Sequence, residues 1–237
     1  MAGLIIEVKM IYENIVKGIF ISRPNRFIAY VLIDGKEEVC HVKNTGRCKE
    51  LLYEGAEVYL QKASSELRKT KYDLISVKKG NKLINIDSQA PNKVFYEWVK
   101  YSGYFKGIKH IKPETKYLNS RFDCYIETAD KKIFIEVKGF TLEEEGVVMF
   151  PDAPTERGVK HINELCQAVR DGYDAYIFFV IQMNDVKFFT PNRNTHPEFA
   201  DALIEAENHG VKIKCVDCIV TENSLKINNF IKYEPSI

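Results

Sequence analysis

The stretch Asp174–Gln182, DAYIFFVIQ, narrows the choice of fold more than any other. It is apolar at consecutive positions rather than at alternate ones, as a strand buried on both faces of a parallel sheet should be. Just before it, ERGVKHINELCQAVRDG places Val159, Ile162, Leu165, Cys166 and Val169 on one helical stripe. A strand, a helix and a second strand in that order require a parallel crossover. Three strand-like runs precede the helix: GIKHIKPETKYL, RFDCYIET and KKIFIEVKGF. Ahead of them, Asn92 opens a helical pattern carrying Val94, Phe95, Trp98, Val99 and Tyr101. A further helix, PEFADALIEAENHG, and a strand, VKIKCVDCIV, complete an α/β domain.

The first ninety residues have a different character. NIVKGIFIS, RFIAYVLIDG, KEEVCHV, AEVYLQK, YDLISVKKG and KLINID are short runs rich in β-branched and aromatic residues. Turn chemistry at Arg23-Pro24-Asn25, Asp34-Gly35-Lys36, Asn44-Thr45-Gly46 and Lys79-Gly80-Asn81 separates them. Five or six such strands without a long helix predict a small closed, OB-like β-barrel. The expected fold class is therefore mixed α/β, with the barrel over 1–88 and the α/β domain over 89–237. Arg23, Arg26, Lys43, Arg47, Lys49, Arg68, Lys69 and Lys71 fall mostly at turns of the barrel, interleaved with Phe27, Tyr30 and Tyr72. They form either a nucleic-acid groove or a solvated rim.

Charge supports a division of labour. Residues 1–90 carry 15 Lys and Arg against 11 Asp and Glu, and the remainder 19 against 22. No apolar run approaches the roughly 18 residues of a membrane span. Glu7, Lys9 and Glu13 interrupt the first apolar stretch, which makes a poor signal peptide. A cytoplasmic protein with no membrane partner is the expectation. Of six cysteines only Cys215 and Cys218 form a C-x-x-C, inside an apparent strand, which favours buried thiols over zinc.

The chemistry-bearing element is the hairpin SRFDCYIETADKKIFIEVKG. A turn centred between Ala129 and Asp130 pairs Thr128 with Lys131, Glu127 with Lys132, and so back to Asp123 with Glu136. Alternation puts Lys138 on the same face as Glu136, while Ile133, Ile135 and Val137 take the other. Two like charges across a ladder repel. A divalent Mg²⁺ or Mn²⁺ resolves that repulsion and leaves room for water and phosphate oxygens. Lys138 then serves to orient a water or to neutralise a phosphorane-like transition state. A slip of one residue would separate the pair, and a plain surface ion pair is the alternative.

The tripeptide E-x-K alone is weak, since Glu7/Lys9 and Glu114/Lys116 also satisfy it. Glu114, on the preceding strand, is a third candidate ligand, and Glu97 on the first helix a fourth. The stretch FPDAPTERGVKH leads into the second helix, with Asp152 or Thr155 as its cap. Arg157, Lys160, His161 and Glu164 are expected opposite the apolar stripe, Arg157 and Lys160 gripping phosphate and His161 aiding proton transfer. Arg121 joins the phosphate-binding set, and Lys160 and His161 the catalytic one. The literal Pro151-Asp152 is a decoy for a nuclease motif, because no E-x-K follows on a neighbouring strand.

HVKNTGRCKELLYEGAEVYL, SRFDCYIE, FIEVKGFTL and FPDAPTERGVKHINEL together resemble the sugar fermentation stimulation protein A family, over nearly the whole chain. The resemblance implies an OB-like first domain and a second similar to the PD-(D/E)xK nuclease superfamily. It also implies largely non-specific DNA binding, a regulatory link to sugar metabolism, and Asp123, Glu136 and Lys138 at the nuclease positions. Phe122 stands where the motif's name would put proline. Two functions compete: a Mg²⁺-dependent phosphodiesterase acting on DNA, and a DNA-binding regulator with a catalytically silent nuclease scaffold. A hydrolase of small phosphates is a weaker third. A homodimer is compatible with each.

Overall fold

The computed structural model describes residues 8–65 and 67–235. A short strand, β1 (Met10–Ile11), comes first, followed by β2 (Ile15–Ser22), β3 (Ile28–Ile33), β4 (Lys36–Val42), β5 (Glu57–Lys62), β6 (Tyr72–Lys79) and β7 (Lys82–Asn85). The order β4-β3-β2-β5-β6 is closed by parallel pairing of β4 with β6, from Cys40 opposite Tyr72 to Val42 opposite Leu74. The result is a five-stranded barrel, with β7 as a hairpin extension of β6. Val31, Cys40, Val58, Leu60 and Leu74 fill its interior at 0% exposure, which leaves no room for a ligand inside. Asp34 and Gly35 both have positive φ, as a two-residue hairpin between twisted strands demands.

The second domain runs α1 (Ala90–Tyr101), β8 (His110–Tyr117), β9 (Ser120–Glu127), β10 (Lys132–Phe140), β11 (Glu143–Glu144), β12 (Val147–Phe150) and α2 (Glu156–Arg170). It continues through β13 (Asp174–Ile181), β14 (Phe188–Pro191), α3 (Pro197–Asn208), β15 (Lys212–Thr221) and β16 (Ser224–Tyr233). Its sheet has the order β11-β12-β14-β16-β15-β13-β10-β9-β8. At its centre β10, β13 and β15 are parallel, and α2 and α3 make the crossovers. The continuous apolar run of β13 is accordingly covered on both sides. Phe178 and Val180 pack with Val94, Phe95 and Val99 of α1, and Ile177 and Phe179 with Leu165 and Leu203 of α2 and α3.

Two features depart from the expected plan. Strands β11 and β12 intervene between β10 and α2, and β12 extends the sheet through β14. Strand β1 belongs to the second domain rather than the barrel, since Met10 pairs with Leu225 and Ile11 with Ser224. The junction between domains is a buried polar knot. Asn85 donates to the Tyr12 hydroxyl (3.0 Å), which donates to Asp87 (3.3 Å), and Gln182 donates to Asn85 Oδ1 (2.8 Å). That knot fixes where α1 begins. At Gly139, directly after Lys138, a Cβ would lie 2.0 Å from Pro91 Cγ, so only glycine admits α1 this close to β10. Cys215 and Cys218 are buried free thiols in β15, as the strand reading expects. No helix among the described residues is long and apolar enough to cross a membrane.

Candidate active site

The β9–β10 register runs Glu127–Lys132, Ile126–Ile133, Tyr125–Phe134 and Cys124–Ile135, so the next step brings Asp123 to Glu136. The ladder stops there. Asp123 Oδ2 accepts the Val137 N–H at 2.8 Å, so a side chain takes the place of a backbone partner. On its other side β8 bends, with Glu114 at φ 49° between the Pro113–Cys124 and Thr115–Phe122 pairs. The two carboxylates therefore meet at a fork where β9 parts from β10. Asn92, in the first turn of α1, donates to Asp123 Oδ1 at 2.8 Å. Burial, and then the charge of Glu136, push the Asp123 carboxyl up to about 6.

Glu136 is 3% exposed. Its Oε1 receives His161 Nδ1 at 2.5 Å and also the Lys138 ammonium. Burial pushes its carboxyl up, but His161 and Lys138 outweigh burial and hold it below its usual range. The two acids are thus driven apart, one toward protonation and one toward charge. Glu136 Oε2 is buried without a hydrogen-bond partner.

His161 corrects the helical reading. It was expected outward with Arg157 and Lys160, yet it is 4% exposed. It lies four residues before Leu165 and beside Ile162, so the buried stripe includes it, and the acid beneath repays its polarity. Arg157 Nε approaches His161 Nε2 at 3.4 Å, leaving Nδ1–H to donate to Glu136. Thr155 caps α2, accepting the Gly158 N–H at 3.1 Å, whereas Asp152 is exposed and makes no cap.

An orphaned carboxylate oxygen beside a second acid is what a hard cation would complete. Asp123 and Glu136 would supply the hard oxygen donors that suit Mg²⁺ or Mn²⁺. Among the described residues no group of three or more His, Cys, Asp or Glu forms a ready cage. Glu114 and Glu97 border the same cavity of about 930 Å³ as Asp123. Glu114 is 65% exposed and pairs with Arg121 at 3.4 Å, and Glu97 pairs with Lys100 at 3.3 Å.

The predicted cations separate into two sets. Arg121, Arg157 and Lys160 converge on a pocket of about 430 Å³ that His161 also lines. Lys116 joins them, unforeseen although it sits in an E-x-K. In the barrel, Arg23 is no free phosphate ligand. Its guanidinium donates to the carbonyls of Gly46 (2.8 Å), Arg47 (3.0 Å), Arg26 (2.7 Å) and Asn44. Arg68 is likewise committed, holding Asp73 at 2.9 and 2.6 Å. Arg26 and Arg47, with Lys49, line a cleft of about 820 Å³ between the barrel and Pro151–Thr155. Lys69 is exposed and lines neither this cleft nor the pocket.

These features define a two-domain protein: an OB barrel joined to an α/β domain that carries an acid–acid–lysine cluster. The family description "SfsA N-terminal OB domain" matches residues 21–86, and "Sugar fermentation stimulation protein RE domain" matches 89–224. The chain belongs to the sugar fermentation stimulation protein family. It is 64% identical over 222 residues to a homologue from Desulfitobacterium hafniense, covering 94% of this chain and 97% of that one. Identity to a Clostridium beijerinckii homologue is 60%, with 94% and 98% covered. A solved structure described as Pyrococcus furiosus SfsA in complex with Ca²⁺ superposes with a TM-score of 0.87 at 30% identity, covering 97% and 99%.

Proposed function

We propose that this protein binds DNA without sequence preference and hydrolyses phosphodiester bonds with a divalent metal ion at Asp123 and Glu136. The observation that carries this reading is the buried, unpartnered Glu136 Oε2 beside Asp123, with Lys138 on the same face. Bound there, Mg²⁺ or Mn²⁺ would polarise the scissile phosphate and acidify a water. The chain's own groups do the rest. His161 keeps Glu136 ionised and oriented. Lys138, about one-fifth exposed, can hold the attacking water or the developing charge. Arg157 and Lys160 hold a phosphate of the bound strand, and Arg26, Arg47 and Lys49 offer the backbone a second grip. The Ca²⁺ named for the Pyrococcus furiosus relative supports an ion in this fold. Six buried free thiols suit a reducing cytoplasm. DNA binding would also give the family's link to sugar fermentation a route through gene expression.

The test is incubation of single-stranded, duplex and branched DNA with and without Mg²⁺ or Mn²⁺, beside Asp123→Ala and Glu136→Ala. Metal-dependent cleavage that both substitutions abolish is the expected result. Salt-sensitive DNA binding without cleavage of any substrate would leave only the silent regulator.

A further inference from the structure

The pocket of about 430 Å³ on the α2 side of the acids carries more positive charge than an internal DNA phosphate requires. Lys116 on β8 stands directly opposite Arg121 on β9. Like charges facing each other across a ladder destabilise it unless an anion lies between them. Arg121 shares Glu114, and Lys160 shares Glu164 at 3.8 Å while donating to the Asn119 carbonyl at 3.1 Å. Lys116 and Arg157 have no carboxylate partner among the described residues, and Arg157 donates a hydrogen bond to the His161 ring. Two cations are therefore left uncompensated. At the same pocket Ser120, 6% exposed, has a buried hydroxyl without a hydrogen-bond partner.

Two free positive charges and a spare hydroxyl match a dianion. A phosphodiester carries one negative charge, and a phosphate monoester carries close to two at neutral pH. We propose that this pocket receives the terminal phosphate of a nucleic-acid strand, so that the enzyme acts on phosphorylated strand ends. The inference rests on nucleic acid being the ligand. His161 makes the connection to the chemistry, since it lines the pocket and holds Glu136. A terminal phosphate seated beside Arg157 is one side chain from the metal-binding acids. The neighbouring internucleotide linkage then falls at Asp123 and Glu136.

The experiment uses a fluorescent single strand of roughly ten nucleotides bearing a 5′-phosphate, a 3′-phosphate or neither, without divalent ion. One phosphorylated strand should bind on the order of tenfold tighter than the bare one, and inorganic phosphate should erase that gap. Lys116→Gln/Arg157→Gln should close the gap without lowering the melting temperature. Equal affinity for all three strands, or a gap that survives in the double variant, overturns the pocket. Cleavage with Mg²⁺ is read separately on the same strands. A gap without cleavage sinks the hydrolase and keeps the pocket, cleavage without a gap does the reverse, and no binding by any strand overturns both.

Discussion

Each domain holds one conspicuous acid, and the two are treated in opposite ways. Asp73 of the barrel is 3% exposed, yet Arg68, Lys43 at 3.0 Å and His41 at 3.1 Å surround it. Burial pushes its carboxyl up, and those partners outweigh burial and hold it well below the ordinary range. Asp123 receives one backbone N–H and one amide, faces a second acid, and is pushed up to about 6. The barrel satisfies its charge. The second domain leaves one short.

Substituting these acids should therefore move stability in opposite directions. Asp73→Asn leaves Arg68 and Lys43 facing a neutral group and should lower stability at pH 7 by about 3–5 kcal/mol in urea melts. Because the Asp73 pKa is depressed on folding, its contribution is present at neutral pH and fades on acidification below about 4. Asp123 has the reverse sign. Its raised pKa favours the folded state in acid, an advantage lost as pH rises from about 4 through 6. Asp123→Asn should thus stabilise the protein by about 2 kcal/mol at pH 7.5 and change little at pH 4. Equal effects at both pH values would break the contrast.

The cations should divide the same way. Arg23→Ala removes a guanidinium that ties four carbonyls together, and should cost about 2 kcal/mol. Arg157→Gln should stay within about 0.5 kcal/mol, because that side chain is exposed. The smallest effect belongs to Arg26→Gln/Arg47→Gln. It should leave the melt unchanged and reduce the logarithmic salt dependence of DNA affinity by roughly 1–2. An unchanged salt slope would make the interdomain cleft a bystander.

Much of this arrangement was legible because its physics is periodic. A turn centred between Ala129 and Asp130 gives the hairpin register found through Cys124–Ile135, and the alternation of Ile133, Ile135 and Val137 with Glu136 and Lys138 gives its two faces. The fully apolar β13 announced the parallel centre. What stayed hidden depends on partners distant in sequence. A helical wheel shows His161 as polar, and only Glu136, 25 residues away, makes its burial favourable. Arg23 and Arg26 read alike as turn cations until the carbonyls of residues 44, 46 and 47 claim Arg23. Asp87–Pro91 looked like a change of domain, with no sign that Asn85 and Asp87 bind Tyr12 and Gln182 there.

The pairing of β1 with β16 makes the barrel an insertion into the second domain's sheet, and sets a clock on biosynthesis. Met10 and Leu225 are 215 residues apart along the chain. At about 5–20 residues per second, the ribosome delivers the second some 10–40 seconds after the first. The barrel can close during that interval, because every strand it needs has been made by Lys79. The larger sheet cannot be completed until β16 emerges, so a nascent chain carries a folded head and an unfinished body for most of its synthesis.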